Sequence, residues 1–135
     1  NLKDFKTAEK LLKKGLKVAP DNNDLRLQLS NLYLSEHKDK ENLDLFASLD
    51  DDDIEPQAYW NMAISYERMD NSDKAKSEFL LAYPEFKDNS TFLKQMIRFF
   101  STEANSDEIV KQLLERYLKL VPEDDEMQDL YNQLQ

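Results

Sequence analysis

The sequence predicts an all-α protein built from stacked pairs of antiparallel helices. Apolar residues recur at i, i+3, i+4 and i+7 through most of the chain, which is the spacing of one helix face. The 135 residues include one Gly and four Pro, which leaves little for glycine-dependent hairpins. Short polar turns separate the helical segments. Helices joined so tightly must lie antiparallel and bury their apolar faces on neighbouring pairs.

The composition favours a protein partner over a nucleic acid or a membrane. With 28 acidic and 18 basic residues the formal charge is −10, which disfavours partners whose phosphates need neutralising. The apolar runs are far shorter than the ~20 residues of a membrane span. The chain has no Cys, which excludes disulfides, thiolate metal ligands and thiol nucleophiles. We expect no nucleic-acid binding, no membrane insertion and a cytoplasmic location.

Residues 56–84 contain one complete helix pair. A polar turn at residues 70–72 separates its two halves. The apolar stripe of the first half is Tyr59, Met62, Ala63 and Tyr66, and that of the second half is Ala75, Phe79 and Ala82. Each stripe covers a single helix face. Neither helix can bury its stripe alone, so further pairs must stack on this one.

The order of these residues resembles the tetratricopeptide repeat (TPR), whose pattern is W-x2-L-G-x2-Y followed by A-x3-F and P. The central pair has Tyr59 for the Trp, Met62 for the Leu and Ala63 for the Gly, and its Pro84 comes early. The chain is similar to a fragment of a degenerate, bacterial-type TPR array. This resemblance implies a right-handed superhelical stack whose concave groove is lined by the first helix of each pair.

Residues 3–20 match the second helix of a truncated repeat. Their apolar stripe consists of Phe5, Ala8, Leu12, Leu16 and Ala19, with lysines on the opposite face. We therefore expect the sequence to begin within a longer array. Self-association is possible through the exposed N-terminal helix, because a preceding helix would otherwise cover it.

The first complete repeat is predicted over residues 22–54. Its helices are expected at about 22–36 and 39–49, with Ser30 at the small position of the first and Asn42 at the Ala position of the second. The apolar positions are Leu25, Leu29, Leu32, Tyr33, Leu43, Phe46 and Leu49.

The central pair belongs to a repeat over residues 55–88, with a longer connection expected at residues 84–89. Another repeat follows over residues 89–122. Ile97 stands where the family has a small residue, so this last pair should pack at a larger separation or a different angle. Residues 123–135 are expected to form a C-terminal capping helix, with the acidic run 123–126 at the start of that helix. The prediction is one TPR-like domain over residues 1–135 with about eight helices.

No residue pattern points to catalysis or to a bound cofactor. His37 is the only histidine and falls in a turn, where a solvated side chain explains it better than metal or hydrolytic chemistry. The acidic run 50–53 lacks the Gly and the ligand spacing of an EF-hand, so a solvated loop is the better interpretation. We predict no enzyme activity, no metal site and no cofactor.

The resemblance implies a partner-binding groove. The residues that it places there are Leu27, Asn31, Leu34, Trp60, Asn61, Ile64, Glu67, Lys94 and Arg98. Trp60 and Ile64 lie off the apolar stripe of their own helix, which suits a groove wall, although Trp60 could also pack as structural filler. The sequence therefore predicts a non-catalytic scaffold that binds a peptide or partner segment. The alternative is a structural spacer or self-association element.

One TPR subfamily can be tested directly, namely the chaperone-binding members with a two-carboxylate clamp. Asn31 and Asn61 match two clamp positions. Leu27, Thr91 and Gln95 occupy the other three, where the subfamily has basic residues, so we reject this assignment. Lys94 and Arg98 leave binding of an acidic peptide by another geometry as a weaker hypothesis.

Overall fold

A computed structural model describes residues 2–135, which form eight α-helices, one single-turn 3-10 helix at Asp51–Asp53 and no strand. The helices are α1 Leu2–Val18, α2 Asn23–Ser35, α3 Asp39–Asp44, α4 Pro56–Arg68, α5 Ser72–Phe86, α6 Ser90–Ser101, α7 Asp107–Leu120 and α8 Asp125–Gln133. The all-α prediction is confirmed. None of the helices in this part of the chain combines the length and the apolar character that crossing a membrane requires.

The turns of the three helix pairs share one backbone feature. His37, Asp70 and Asn105 lie in the left-handed region with φ of 56°, 57° and 59°. In the first turn the Lys38 amide donates to the Tyr33 carbonyl at 2.8 Å, and the second turn repeats this bond at 2.9 Å. Such bonds satisfy carbonyls left open at a helix end and reverse the chain direction. The repeat is therefore visible in the backbone as well as in the sequence.

Asn22, Asn89 and Asp124 each cap a helix start. Their side-chain oxygens accept a hydrogen bond from the amide three residues on, at 3.0, 3.0 and 3.2 Å. Helix α4 has no such cap and begins with Pro56. The N–H groups of a first helical turn have no carbonyl partner within the helix, so a proline there breaks no hydrogen bond. Because α2, α4, α6 and α8 have such start signals, their first residues agree closely with the prediction.

The second helix of the first pair is shorter than we predicted. We expected a helix at about 39–49, but α3 ends at Asp44. Beyond it, Phe46 donates to the Leu43 carbonyl at 3.2 Å and Leu49 donates to the Phe46 carbonyl at 3.1 Å. These are tighter, three-residue bonds. They let Phe46 and Leu49 join the apolar cluster that includes residues of α4.

Helix α5 passes through Pro84 and ends at Phe86, whereas we expected a connection over residues 84–89. A proline removes the hydrogen bond to the carbonyl four residues back, here that of Leu80. Leu80 and Pro84 are both exposed, so the lost bond lies on the solvent side of the helix. The proline therefore costs little in the last turn of this helix.

The described chain divides into two compact units, one up to Leu81 and the other from Ala82 to Gln135. In the first unit α2 packs against α1, α3 and α4, and α3 also packs against α4. Its buried clusters are Phe5, Leu29 and Tyr33 in one and Phe46, Ala58 and Met62 in the other. The prediction of a single domain over residues 1–135 stays a prediction.

In the second unit α7 packs against both α6 and α8. Its buried apolar residues are Ala82, Phe92, Leu93, Met96, Ile97, Phe99, Phe100, Val110, Leu113, Leu114, Tyr117 and Met127. Ile97 is fully buried, so the position that is small in other repeats holds a large core residue here. The wider spacing that we expected from it stays a prediction.

Candidate partner-binding surface

Helices α2 and α4 lie side by side in the first unit and run in the same direction. Nδ2 of Asn61 donates to Oδ1 of Asn31 at 2.9 Å, and Nη1 of Arg68 donates to the Leu34 carbonyl at 3.0 Å. The first bond spans 30 residues and the second 34, and both advance along α2 and α4 in the same sense. They tie the two helices together, so the residues at i, i+4 and i+7 of each helix form two adjacent rows.

The two rows combine apolar and polar side chains. We call them the α2–α4 face, which consists of Leu27, Asn31 and Leu34 on α2 and Trp60, Ile64 and Glu67 on α4. The four apolar members are half-buried, whereas Asn31 and Glu67 are exposed. Leu27 also packs against the cluster of Phe46, Ala58 and Met62. The structure thus brings six of the nine predicted groove residues together on one side of the first unit.

Asn61 does not belong to the accessible part of this face. It is 3% exposed, and its Nδ2 donates to Ser30 Oγ at 2.8 Å as well as to Asn31. Its Oδ1 accepts from Nε2 of Gln57 at 3.0 Å. Both Oδ1 and Nδ2 of Asn61 are therefore hydrogen-bonded within the protein. The side chain lies between α4 and α2 rather than on the outer surface. We correct its role from a partner contact to a support for Asn31.

A buried polar network lies beneath the face, with Asn42 of α3 at its centre. Ser30 Oγ donates to Asn42 Oδ1, and Asn42 Nδ2 donates to Ser65 Oγ at 2.9 Å and to the Asn61 carbonyl at 3.3 Å. Ser65 Oγ in turn donates to Oδ1 of Asp39 at 2.9 Å. Ser30, Asn42 and Ser65 are fully buried, and each has hydrogen-bond partners. The network fixes α2, α3 and α4 relative to one another.

The charges at one end of the α2–α4 face are unevenly compensated. Arg68 forms an ion pair with Asp39 at 3.2 Å, in addition to its bond to the Leu34 carbonyl. The side-chain carboxylate of Glu67, the neighbouring residue, has no hydrogen bond or ion pair to any of residues 2–135. Partial burial of its carboxylate raises the pKa of Glu67, and the charge of Arg68 opposes this shift. A carboxylate thus stands beside the apolar rows without a cation of its own.

Lys94 and Arg98, the two predicted groove cations of α6, are paired within the second unit. Lys94 Nζ lies 3.0 Å from Asp124 Oδ2, and Arg98 Nη2 lies 3.4 Å from Glu126 Oε1. The Tyr117 hydroxyl also donates to Asp124 at 2.6 Å. The hydrogen bonds from Tyr117 and then from Lys94 lower the pKa of Asp124 to about 2. Lys94 therefore helps to hold α8, while the pair of Arg98 is a solvated surface contact.

An acidic cluster lies on another side of the first unit. Oε2 of Glu78 is buried and has no hydrogen-bond partner among residues 2–135. Burial and then the charge of Asp51 raise the pKa of Glu78 to about 7, against the opposing charge of Lys74. The Tyr59 hydroxyl donates to the Asp51 carbonyl at 3.3 Å. Burial, followed by the charges of Asp51 and Glu78, raises the pKa of Tyr59 as well.

We expect the stability of the protein to fall as the pH rises through about 7, because of Glu78. Its folded-state pKa of about 7 lies above the ordinary value of 4.5, so the folded state holds a proton that the unfolded state has released. This contribution is complete below pH 4.5 and is lost as the pH passes 7. The urea midpoint of Glu78→Gln should therefore change less than that of the parent between about pH 5 and pH 8. The exposed Glu85→Gln serves as the control, and equal slopes in all three proteins would contradict the assignment.

Sequence reasoning missed the buried network and the pairing of the two α6 cations. Asn42 and Ser30 stand at positions where the repeat carries small apolar residues, and two polar residues at such positions are a signal that they bond each other. For Lys94 and Arg98 the signal was the acidic run at residues 123–126, which we had assigned only to a helix start. The partners of such polar groups are far away in sequence, so the spacing of residues alone does not identify them.

A family model described as YpiA-like, C-terminal tetratricopeptide repeats matches residues 56–124, which is more than half of the chain. The chain belongs to this TPR family. Two solved structures have the same fold, both described as crystal structures of MamA. They have TM-scores of 0.79 and 0.75 at 19% and 18% identity, and each comparison covers 97% of this chain and 77% of the MamA chain. No curated protein matches the chain.

The family match and the shared fold confirm the TPR resemblance that the central pair suggested. At these identities the likeness to MamA concerns the fold alone. Repeats of this type generally mediate protein interactions.

Proposed function

We propose that this TPR chain is a non-catalytic scaffold that binds a peptide or partner segment on the α2–α4 face. The observation that carries the proposal is the pairing of two helices in register, with half-buried Leu27, Leu34, Trp60 and Ile64 flanked by polar Asn31 and Glu67. Sites that combine apolar walls with a few polar groups are typical of ligand recognition. The net charge of −10 supports a protein partner over a nucleic acid.

The network beneath the face supports this role. Asn42, Ser30 and Ser65 hold the three helices with mutually satisfied hydrogen bonds, so the rows are presented on a rigid base. A preorganised surface loses less conformational entropy on binding than a mobile one. We leave Lys94 and Arg98 outside the proposed surface because their charges are paired with α8. A cytoplasmic location is part of the proposal, and a chain without Cys is compatible with a reducing compartment.

Trp60→Ala is expected to weaken peptide binding by tenfold or more while leaving the fold intact. Trp is among the residue types that most often dominate the binding energy of an interface. Truncating such a residue typically costs about 2 kcal/mol or more of binding free energy. Binding can be measured by fluorescence polarisation with a labelled peptide selected from a displayed library against the parent chain. Circular dichroism of each variant verifies the fold.

The matched control is Leu81→Ala, which removes an exposed apolar side chain from α5, outside the α2–α4 face. It should bind the selected peptide as tightly as the parent does. If Trp60→Ala binds equally well too, the proposed surface is wrong.

Self-association through α1 is the second candidate function, and one observation favours it. Leu11 and Val18, seven residues apart on one side of α1, are 64% and 83% exposed. Sedimentation velocity over a range of concentrations separates the candidates. A concentration-dependent dimer that Leu11→Glu abolishes would favour self-association, whereas a monomer that still binds the selected peptide favours the scaffold.

A further inference from the structure

We infer that the α2–α4 face recognises a partner segment that carries basic side chains beside apolar ones. This inference rests on the proposed function and adds the chemical class of the partner. It depends on the charges around the apolar rows, and three observations on the first unit carry it.

The first observation is Glu67, which continues the row of Trp60 and Ile64 by one more turn of α4. Its carboxylate is partly desolvated, and no described residue forms a hydrogen bond or ion pair with it. A carboxylate in this state gains more from an incoming cation than a fully solvated one, because the attraction is stronger where water is partly excluded. The basic group of a partner would meet Glu67 while the adjacent side chains meet Trp60 and Ile64.

The second observation is the lack of a competing cation at this end of the face. Arg68, the cation next to Glu67, is held by Asp39 and by the Leu34 carbonyl. An acidic partner would therefore face Glu67 without a free positive charge to balance it, and like charges brought together at an interface oppose binding. This argues against the acidic-peptide hypothesis, which had relied on Lys94 and Arg98.

The third observation is a second acid at the other end of the rows. Asp24 is exposed in the first turn of α2, three residues before Leu27 and on the same helix side. Counted through the Asn31–Asn61 bond, Asp24 and Glu67 are 13 residues apart. Counted through the Leu34–Arg68 bond, they are nine residues apart. At ~1.5 Å per residue the two acids are therefore roughly 14–20 Å apart along the helix axes. An extended peptide covers that distance in about four to six residues. Two basic residues at such a spacing, with apolar residues between them, would match both acids.

The test uses the full chain and three fluorescein-labelled peptides that differ at two positions only. The first peptide has two lysines separated by five residues that alternate Leu and Ser, and the others have Gln or Glu in place of both lysines. We expect the lysine peptide to bind roughly tenfold more tightly than the glutamine peptide, and the glutamate peptide to bind least. Added salt should weaken the lysine peptide most.

Glu67→Gln isolates the proposed contact. It should lower the affinity for the lysine peptide severalfold and leave that for the glutamine peptide unchanged, whereas Glu85→Gln on α5 should alter neither. Tighter binding of the glutamate peptide, or an unaltered affinity of Glu67→Gln for the lysine peptide, overturns the inference. If these peptides still lose affinity in Trp60→Ala, the proposed function survives that result. If Trp60→Ala binds the peptides as tightly as the parent does, both the proposed function and the inference are contradicted.

Discussion

Replacing Phe79 with Ala should lower the free energy of unfolding by about 3–5 kcal/mol, the usual cost of removing a buried aromatic ring. Phe79 is 0% exposed, and so are Ala75 and Ala82 on the same stripe of α5. Because alanines flank the ring on its own helix, no longer side chain there can fill the cavity that its removal leaves. Urea unfolding followed by circular dichroism measures the change.

Leu80→Ala is the matched control for Phe79. It lies next to Phe79 on the same helix but is 47% exposed, so its truncation removes little buried surface. We expect it to cost less than about 1 kcal/mol. Comparable losses in the two variants would mean that α5 does not bury the stripe that the repeat pattern assigns to it.

Asn42→Ala should also be strongly destabilising, although it restores the residue type that the repeat has at this position. The substitution removes one hydrogen-bond partner each from Ser30, Ser65 and the Asn61 carbonyl in a fully buried site, including the acceptor of the Ser30 hydroxyl. Leaving buried polar groups unsatisfied costs about 1–3 kcal/mol each, which is more than a hydrogen bond contributes when it is made. Urea unfolding of the single variant should therefore show a loss of several kcal/mol.

The decisive comparison is with the triple variant Ser30→Ala, Asn42→Ala and Ser65→Ala. Removing most of the polar groups at once leaves few unsatisfied, so the triple variant should be more stable than Asn42→Ala alone. Losses that simply add from each single substitution to the triple would contradict the network. Such additivity would mean that the three side chains act independently.

The fold was predictable because the features that determine it are local. The stripe of Tyr59, Met62, Ala63 and Tyr66 and the polar turn after it need only neighbouring residues to be recognised, and the same pattern recurs along the chain. Helix starts at Asn22, Asn89 and Asp124 are local for the same reason. The predicted ends of α3 and α5 were wrong, because packing and solvent exposure determine where these two helices end.

The candidate surface was predictable only in part. The family pattern placed Leu27, Asn31, Leu34, Trp60, Ile64 and Glu67 on one side, but whether a residue there is accessible depends on partners far away in sequence. Asn61 is hydrogen-bonded to residues about 30 positions earlier, and Lys94 is hydrogen-bonded to Asp124, which is 30 positions later. No periodicity encodes such pairings. The charge of the surface, and with it the class of partner, therefore emerged only from the structure.

The most direct test of the account is to map the bound peptide on the protein by NMR. Titrating the lysine peptide into the 15N-labelled chain should shift the amides of Leu27, Asn31, Leu34, Ile64 and Glu67 and the indole of Trp60. Shifts concentrated on α1 instead, or shifts that persist unchanged in Trp60→Ala, would show that the α2–α4 face is not the binding surface.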